Sequence, residues 1–152
     1  VILQTPLSIM LLRFLINPSS SVIRHKKFVI LLSTFFVISL SLVIHFYAED
    51  ISLIFYGDKY DNSGKYLSIL SISLIFIFIN MFFIQYCLSR DLIVQYFYAT
   101  LIAAIFNTML NYFYIPLYGA LASSYVTVIT EAIFLIFLVT FILCRKKKIK
   151  SL

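Results

Sequence analysis

Residues Asn107 to Glu131 read NTMLNYFYIPLYGALASSYVTVITE. Two asparagines one helical turn apart, a Pro and Gly turn, a run of small residues and a carboxylate stand inside sequence that is otherwise apolar. Polar groups like these are costly in hydrocarbon and persist there only for packing or for function. The fold therefore depends on whether the sequence around them belongs in a membrane.

Composition answers that question. The chain has 152 residues, of which 62% are apolar or aromatic and 12% charged, and its mean hydropathy is +1.04. A soluble domain of this length has too small an interior to bury that much apolar surface. A transmembrane barrel would show segments of about 10 residues alternating apolar and polar. The long unbroken Ile, Leu and Phe runs point instead to an all-α, polytopic transmembrane helix bundle.

The net charge of +6 raises nucleic acid as a partner, but the placement of the basic residues argues against it. Lys26 and Lys27, with Arg24, and Lys146, Lys147, Lys148 and Lys150, with Arg145, immediately flank apolar segments. That is where topology signals and contacts to anionic lipids belong. Cys87 and Cys144 lack metal-ligand spacing and a CxxC pattern, and read as free thiols on the reducing side.

The whole chain reads as one membrane domain. Residues 1–17, with Pro6 and Arg13 inside them, are short of the roughly 20 residues a span needs and are read as the end of a span rather than an interfacial helix. The chain starts with Val in apolar sequence, so a fragment of a longer protein or an alternative start is expected. Residues 18–27 are expected to form a loop with a basic end. Full spans are expected at 28–48, 66–88, 92–114 and 120–144, followed by a tail at 145–152. Between the first two, Ile51 to Tyr56 is apolar enough for the interface, with Gly57, Asn62 and Gly64 as turn signals. Placing the 18–27 loop, the 89–91 turn and the tail on one side gives it nine basic residues against one acid, Asp91. The other side has Lys59 and Lys65 against Glu49, Asp50, Asp58 and Asp61. Retention of Lys and Arg in the cytoplasm then makes the C-terminus cytoplasmic.

Glu131 lies 12 residues past Gly119 and 13 before Cys144, about 18 Å down a helix and close to the midplane. A carboxyl there is either protonated or paired. It reads either as a proton-coupled or substrate-sensing group or as a neutral side chain bonded to a neighbouring helix. Thr100, Ala104, Asn107 and Asn111 share one helical face, and Ala120, Ser124, Thr127 and Glu131 share another. Facing stripes of small and hydroxylated residues let two helices approach and hydrogen-bond, which is preferred here to substrate contact by both asparagines. Pro116 and Gly119 are assigned to the turn between those helices. Thr34, Ser41 and His45 share a face of the 28–48 span, with His45 read as packed or interfacial; Asn80 and Gln85 mark the inner half of the next. Arg13 reads as a snorkelling side chain or as an anchor for an anionic headgroup. No nucleophile–base set, phosphate-binding Gly loop or metal cluster is visible, so neither an enzyme nor a cofactor or metal site is expected.

Two stretches resemble a known family. IFYGDKYDNSGKYLSIL, Ile54 to Leu70, is similar to the region before the tenth span of bacterial polysaccharide-repeat (O-antigen) flippases, the Wzx-type transporters of the MOP superfamily. Asn107, Asn111, Ile115, Pro116, Gly119, Ala120, Ala122, Ser123 and Glu131 resemble the motif joining that family's eleventh and twelfth spans. Leu121 interrupts a run of small residues in that motif, and Ser63 and Gly64 replace a single small residue after the tyrosine. The resemblance covers most of residues 28–145 and implies the C-terminal part of a two-lobed transporter. It further implies export of a polyprenyl-pyrophosphate-linked oligosaccharide repeat across the bacterial inner membrane by alternating access, with membrane lipids and a polysaccharide polymerase as partners. Substrate or coupling candidates are then Glu131, Asn107, Asn111 and Arg13. The competing expectations are an ion-coupled small-molecule exporter of the MATE type and a non-transporting scaffold of a polysaccharide-assembly complex.

Overall fold

Long uncharged runs satisfy every backbone N–H and C=O internally only as helices, and helices are what they form. A computed structural model describes residues 20–57 and 62–150. It contains α1 (Ser20–Phe46), α2 (Ala48–Tyr56), α3 (Ser63–Ser89), α4 (Ile93–Tyr118) and α5 (Ala120–Lys150). There is no strand among the described residues. The expectations for residues 1–17, Arg13 among them, and for Asp58, Lys59 and Asp61 lie outside the described residues.

Three helices, α3, α4 and the Ala120–Arg145 part of α5, are long and apolar enough to cross a membrane. A fourth crossing exists if Ile30–Phe46 and Ala48–Tyr56, bent by 71° at Tyr47, count as one span. The chain is thus a helical protein fitted to a membrane.

Four boundaries differ from expectation. Residues from Ser20 to Lys27 are helical, not a loop: Pro18 precedes the helix, and the Ser, Val, Ile, Arg, His and Lys that follow lower helix propensity only modestly. The 28–48 span breaks at Tyr47, and its last residue, Ala48, opens a separate helix, α2, that takes in the Ile51 to Tyr56 stretch. Pro116 sits inside the last turn of α4, leaving Gly119 alone as the link to α5. The basic tail continues α5 to Lys150.

The ends of α2, α3 and α4 each have a local cause. Gly57 and Gly119 end α2 and α4 with φ of 69° and 62°, each N–H bonded four residues back, to Leu53 O at 2.9 Å and Ile115 O at 2.8 Å. With ψ of −177° and −143°, both sit in or beside a region that is essentially restricted to glycine. At the end of α3, Asp91 takes φ 54°, a left-handed conformation that Asp tolerates better than most residues. Leu92 N then reaches Cys87 O at 2.8 Å, the long bond of a Schellman motif. The side chains of Leu92 and Cys87 are buried in one cluster, the apolar contact that goes with that motif.

The helices pack in the order α1, α3, α5, α4, with α2 lying on α3. Although α3 and α4 are joined by a tight turn, they contact each other little, and α5 fills the space between them. On α5 every fourth residue from Ala122 to Ile142 is buried: Ala122, Val126, Thr130, Phe134, Leu138 and Ile142. This is an i, i+4 ridge set between two neighbours. Its large members join Cys87, Leu92 and Ala99 in the apolar core at the Ser89–Asp91 end; its small ones lie toward Gly119. Side-chain bonds tie α1 to α3: Ser41 Oγ donates to Ser71 O at 2.6 Å and His45 Nδ1 to Ser68 O at 3.0 Å, with Ser68 Oγ also 3.4 Å from His45 Nδ1. His45 is accordingly packed against a backbone carbonyl.

Candidate functional site

Because α3 and α4 diverge from their common turn, a cleft of about 400 Å³ opens between them with α5 as its floor. From α3 it is lined by Ile77, Asn80, Met81 and Ile84, and from α4 by Tyr96, Thr100, Ala103, Ala104 and Asn107. Thr130, Glu131 and Phe134 of α5 complete it. Ala103 and Ala104 leave the width, since larger side chains there would fill it.

Two polar pairs lie along the cleft. Asn80 Nδ2 donates to Glu131 Oε2 at 2.8 Å and to Glu131 O at 3.1 Å. A backbone carbonyl only accepts, which fixes the orientation of the Asn80 amide. Its oxygen, Oδ1, is then left buried with no hydrogen-bond partner, on a residue only 2% exposed. The second pair joins α4 to α5, with Asn107 Nδ2 donating to Thr130 Oγ1 at 3.1 Å. Thr130 passes its own proton back to Val126 O at 2.7 Å or Thr127 O at 3.1 Å. Asn111 Nδ2 donates to Asn107 Oδ1 at 3.0 Å, and Asn111 Oδ1 is also buried and unpartnered.

The buried cleft atom left without a partner, Asn80 Oδ1, is an acceptor, while Asn107 Nδ2 keeps a second N–H to donate. Asn80 Oδ1 and the Glu131 carboxyl oxygens accept, and no Lys or Arg lines the cleft. The unpartnered oxygen suits a hydroxyl, an ammonium or another donor. Among the described residues no group of three or more His, Cys, Asp or Glu could hold a metal ion.

Thr100, Ala104 and Asn107 line the cleft together as their shared face requires. Asn111 lies one turn on and supports Asn107. Of the stripe expected on α5, Ala120, Ser124, Thr127 and Glu131, no side chain makes its hydrogen bond to α4 among the described residues. Ser124 and Thr127 bond carbonyls of their own helix, Ala120 O and Ser123 O, and Glu131 turns to α3. Asn80 and Thr130 are the residues whose part the sequence reading missed. The i, i+4 row starting at Ala122 would have found Thr130. No local pattern links Asn80 to a carboxyl 51 residues later.

Fold and cleft together define a membrane-embedded helical protein with a polar recess among three helices. No protein family, curated protein or solved structure matches the chain.

Proposed function

We propose that the chain is the C-terminal portion of a transporter that moves polyprenyl-pyrophosphate-linked oligosaccharide repeats across the bacterial inner membrane, for O-antigen or capsule synthesis. The observation that carries this reading is the coincidence of motif and cleft. Asn107 and Glu131, which carry much of the resemblance to MOP-superfamily flippases, both line the cleft, and Asn111 bonds Asn107. In this reading the four spans and part of a fifth belong to one lobe of a two-lobed bundle, and α5 ends in the cytoplasm. The pyrophosphate would meet basic groups away from this cleft, because no Lys or Arg lines it. Its hydroxyl-accepting character suits the sugar or a conformational role. Complementation of a flippase-null strain by the full-length gene is the test. Restored surface polysaccharide is expected, and its absence with the protein inserted in the membrane sinks the proposal.

One observation favours a second reading, an ion-coupled small-molecule exporter of the MATE type. Glu131 and the unpartnered Asn80 Oδ1 share one recess with no cation lining it. Glu131→Gln keeps an acceptor for Asn80 but removes the ionisable group. Under this reading the variant folds and loses pH-dependent transport; transport that is flat across pH in the parent removes Glu131 from coupling.

A further inference from the structure

The 71° bend at Tyr47 allows two arrangements: α1 and α2 as halves of one broken span, or α1 as a span with α2 lying outside the hydrocarbon. We propose that α2 lies in the plane of the membrane surface, an interfacial anchor whose partner is the boundary between lipid headgroups and acyl chains. The proposal needs the long helices to cross a bilayer but does not depend on the transport reading.

Length is the first ground. From Phe28 to Phe46, α1 has 19 residues without Asp, Glu, Lys or Arg, about 28 Å of helix, which already matches the hydrocarbon thickness. A span of that length needs nothing from α2. Charge is the second ground. Glu49 and Asp50 form the first turn of α2, directly at the bend. In a broken span they would enter the hydrocarbon, where a carboxylate is strongly disfavoured. In the in-plane arrangement both stay at the water boundary, and beside a helix N-terminus, where negative charge is favoured.

Packing gives the level at which α2 sits. Ala48 and Ser52 are buried, and a Cβ built on Gly64 would come within 2.8 Å of the Glu49 Cα. Gly64 is the second residue of α3 and Lys65, exposed, the third. The foot of α2 is therefore pinned at the very start of a spanning helix. The rest of α2 turns apolar and aromatic side chains outward, Leu53, Ile54, Phe55 and Tyr56, with Phe55 77% exposed. A helix acidic at its docked end and apolar along its exposed one fits the headgroup boundary. Tyr47 and Tyr56 at its two ends, with Tyr66 in the first turn of α3, are the residue type that concentrates there.

The chain has no Trp, so Phe55→Trp supplies a single fluorescent reporter at an exposed position. Ile105→Trp, exposed at the middle of α4, supplies a reference. Each variant is reconstituted in vesicles of lipids brominated either near the headgroup or near the chain end, after circular dichroism confirms parental helix content. The expected result is that the Phe55→Trp variant loses indole fluorescence mainly to the shallow bromines and the Ile105→Trp variant mainly to the deep ones. Deep quenching in both variants overturns the proposal in favour of a broken span. No quenching of the Phe55→Trp variant, with deep quenching of the Ile105→Trp variant, overturns it in favour of a protein contact. No quenching of the Ile105→Trp variant removes the bilayer crossing on which the proposal stands, and leaves transport to be judged separately by complementation.

Discussion

At the scale of single residues, the bond between Asn80 and Glu131 holds most of the chemical interest. Interhelical hydrogen bonds in membranes average about 0.6 kcal/mol and reach about 1.7 kcal/mol, because the unfolded helices also find partners. A double-mutant cycle of Asn80→Ala and Glu131→Ala, read by unfolding in detergent, should give a coupling energy in that range; a value near zero would show that the α3 and α5 contact does not depend on this pair. Glu131→Gln should leave stability within about 0.5 kcal/mol of the parent, since an amide oxygen still accepts from Asn80. Loss of function by that variant without loss of stability would then assign the ionisable proton, not the hydrogen bond, to the activity. These residues were legible as costly polar groups in an apolar sequence. Their partners were not, because a helix face can be read from spacing whereas the helix it meets depends on packing. Glu131 was placed with the α4-facing stripe and instead reaches α3, one ridge away.

At the scale of helices, apolar length made α3, α4 and α5 readable almost to their ends, while breakers were the weaker guide. Pro116 looked like part of a turn, yet it sits in the helix at the cost of one bond, the N–H it cannot donate to the carbonyl of Tyr112, with only two helical residues following it. Gly119 alone ends the helix, so Gly119→Ala should cost about 1 to 3 kcal/mol, measured as lower thermal stability in detergent. Pro116→Ala should cost far less or stabilise α4, and a larger loss than at Gly119 would contradict this account. Gly64 was read as a turn signal, whereas its role is close approach. A methyl there meets the Glu49 backbone rather than a yielding side-chain tip, so Gly64→Ala must displace α2. The expected penalty is about 1 to 3 kcal/mol, with the α3 to α5 core retained.

At the scale of the molecule, α5 is the organising element: its i, i+4 row can be read from spacing, but that two neighbours share it is a spatial fact. Leu138, fully buried at its lower end, tests that role. Lipid tails are as apolar as leucine, so Leu138→Ala loses packing but little transfer energy; about 1 to 3 kcal/mol is expected from the cavity left behind. In the proposed orientation a fluorescent protein fused after Leu152 should mature and fluoresce in the cytoplasm, and alkaline phosphatase at the same point should be inactive; the reverse pattern would invert the bundle. Residues 1–152 by themselves are expected not to flip lipid-linked sugar in liposomes, since a cavity between two lobes needs both. The arrangement also bears on how the protein is made. The ribosome delivers α3 and α4 first, two helices with little hold on each other, and only afterwards the one that joins them. Asn80 is made 51 residues ahead of Glu131, about 3 to 10 seconds at ordinary elongation rates. During that interval the Asn80 amide is without Glu131, and arrest of synthesis just after Gly119 should yield a chain that membrane quality control degrades.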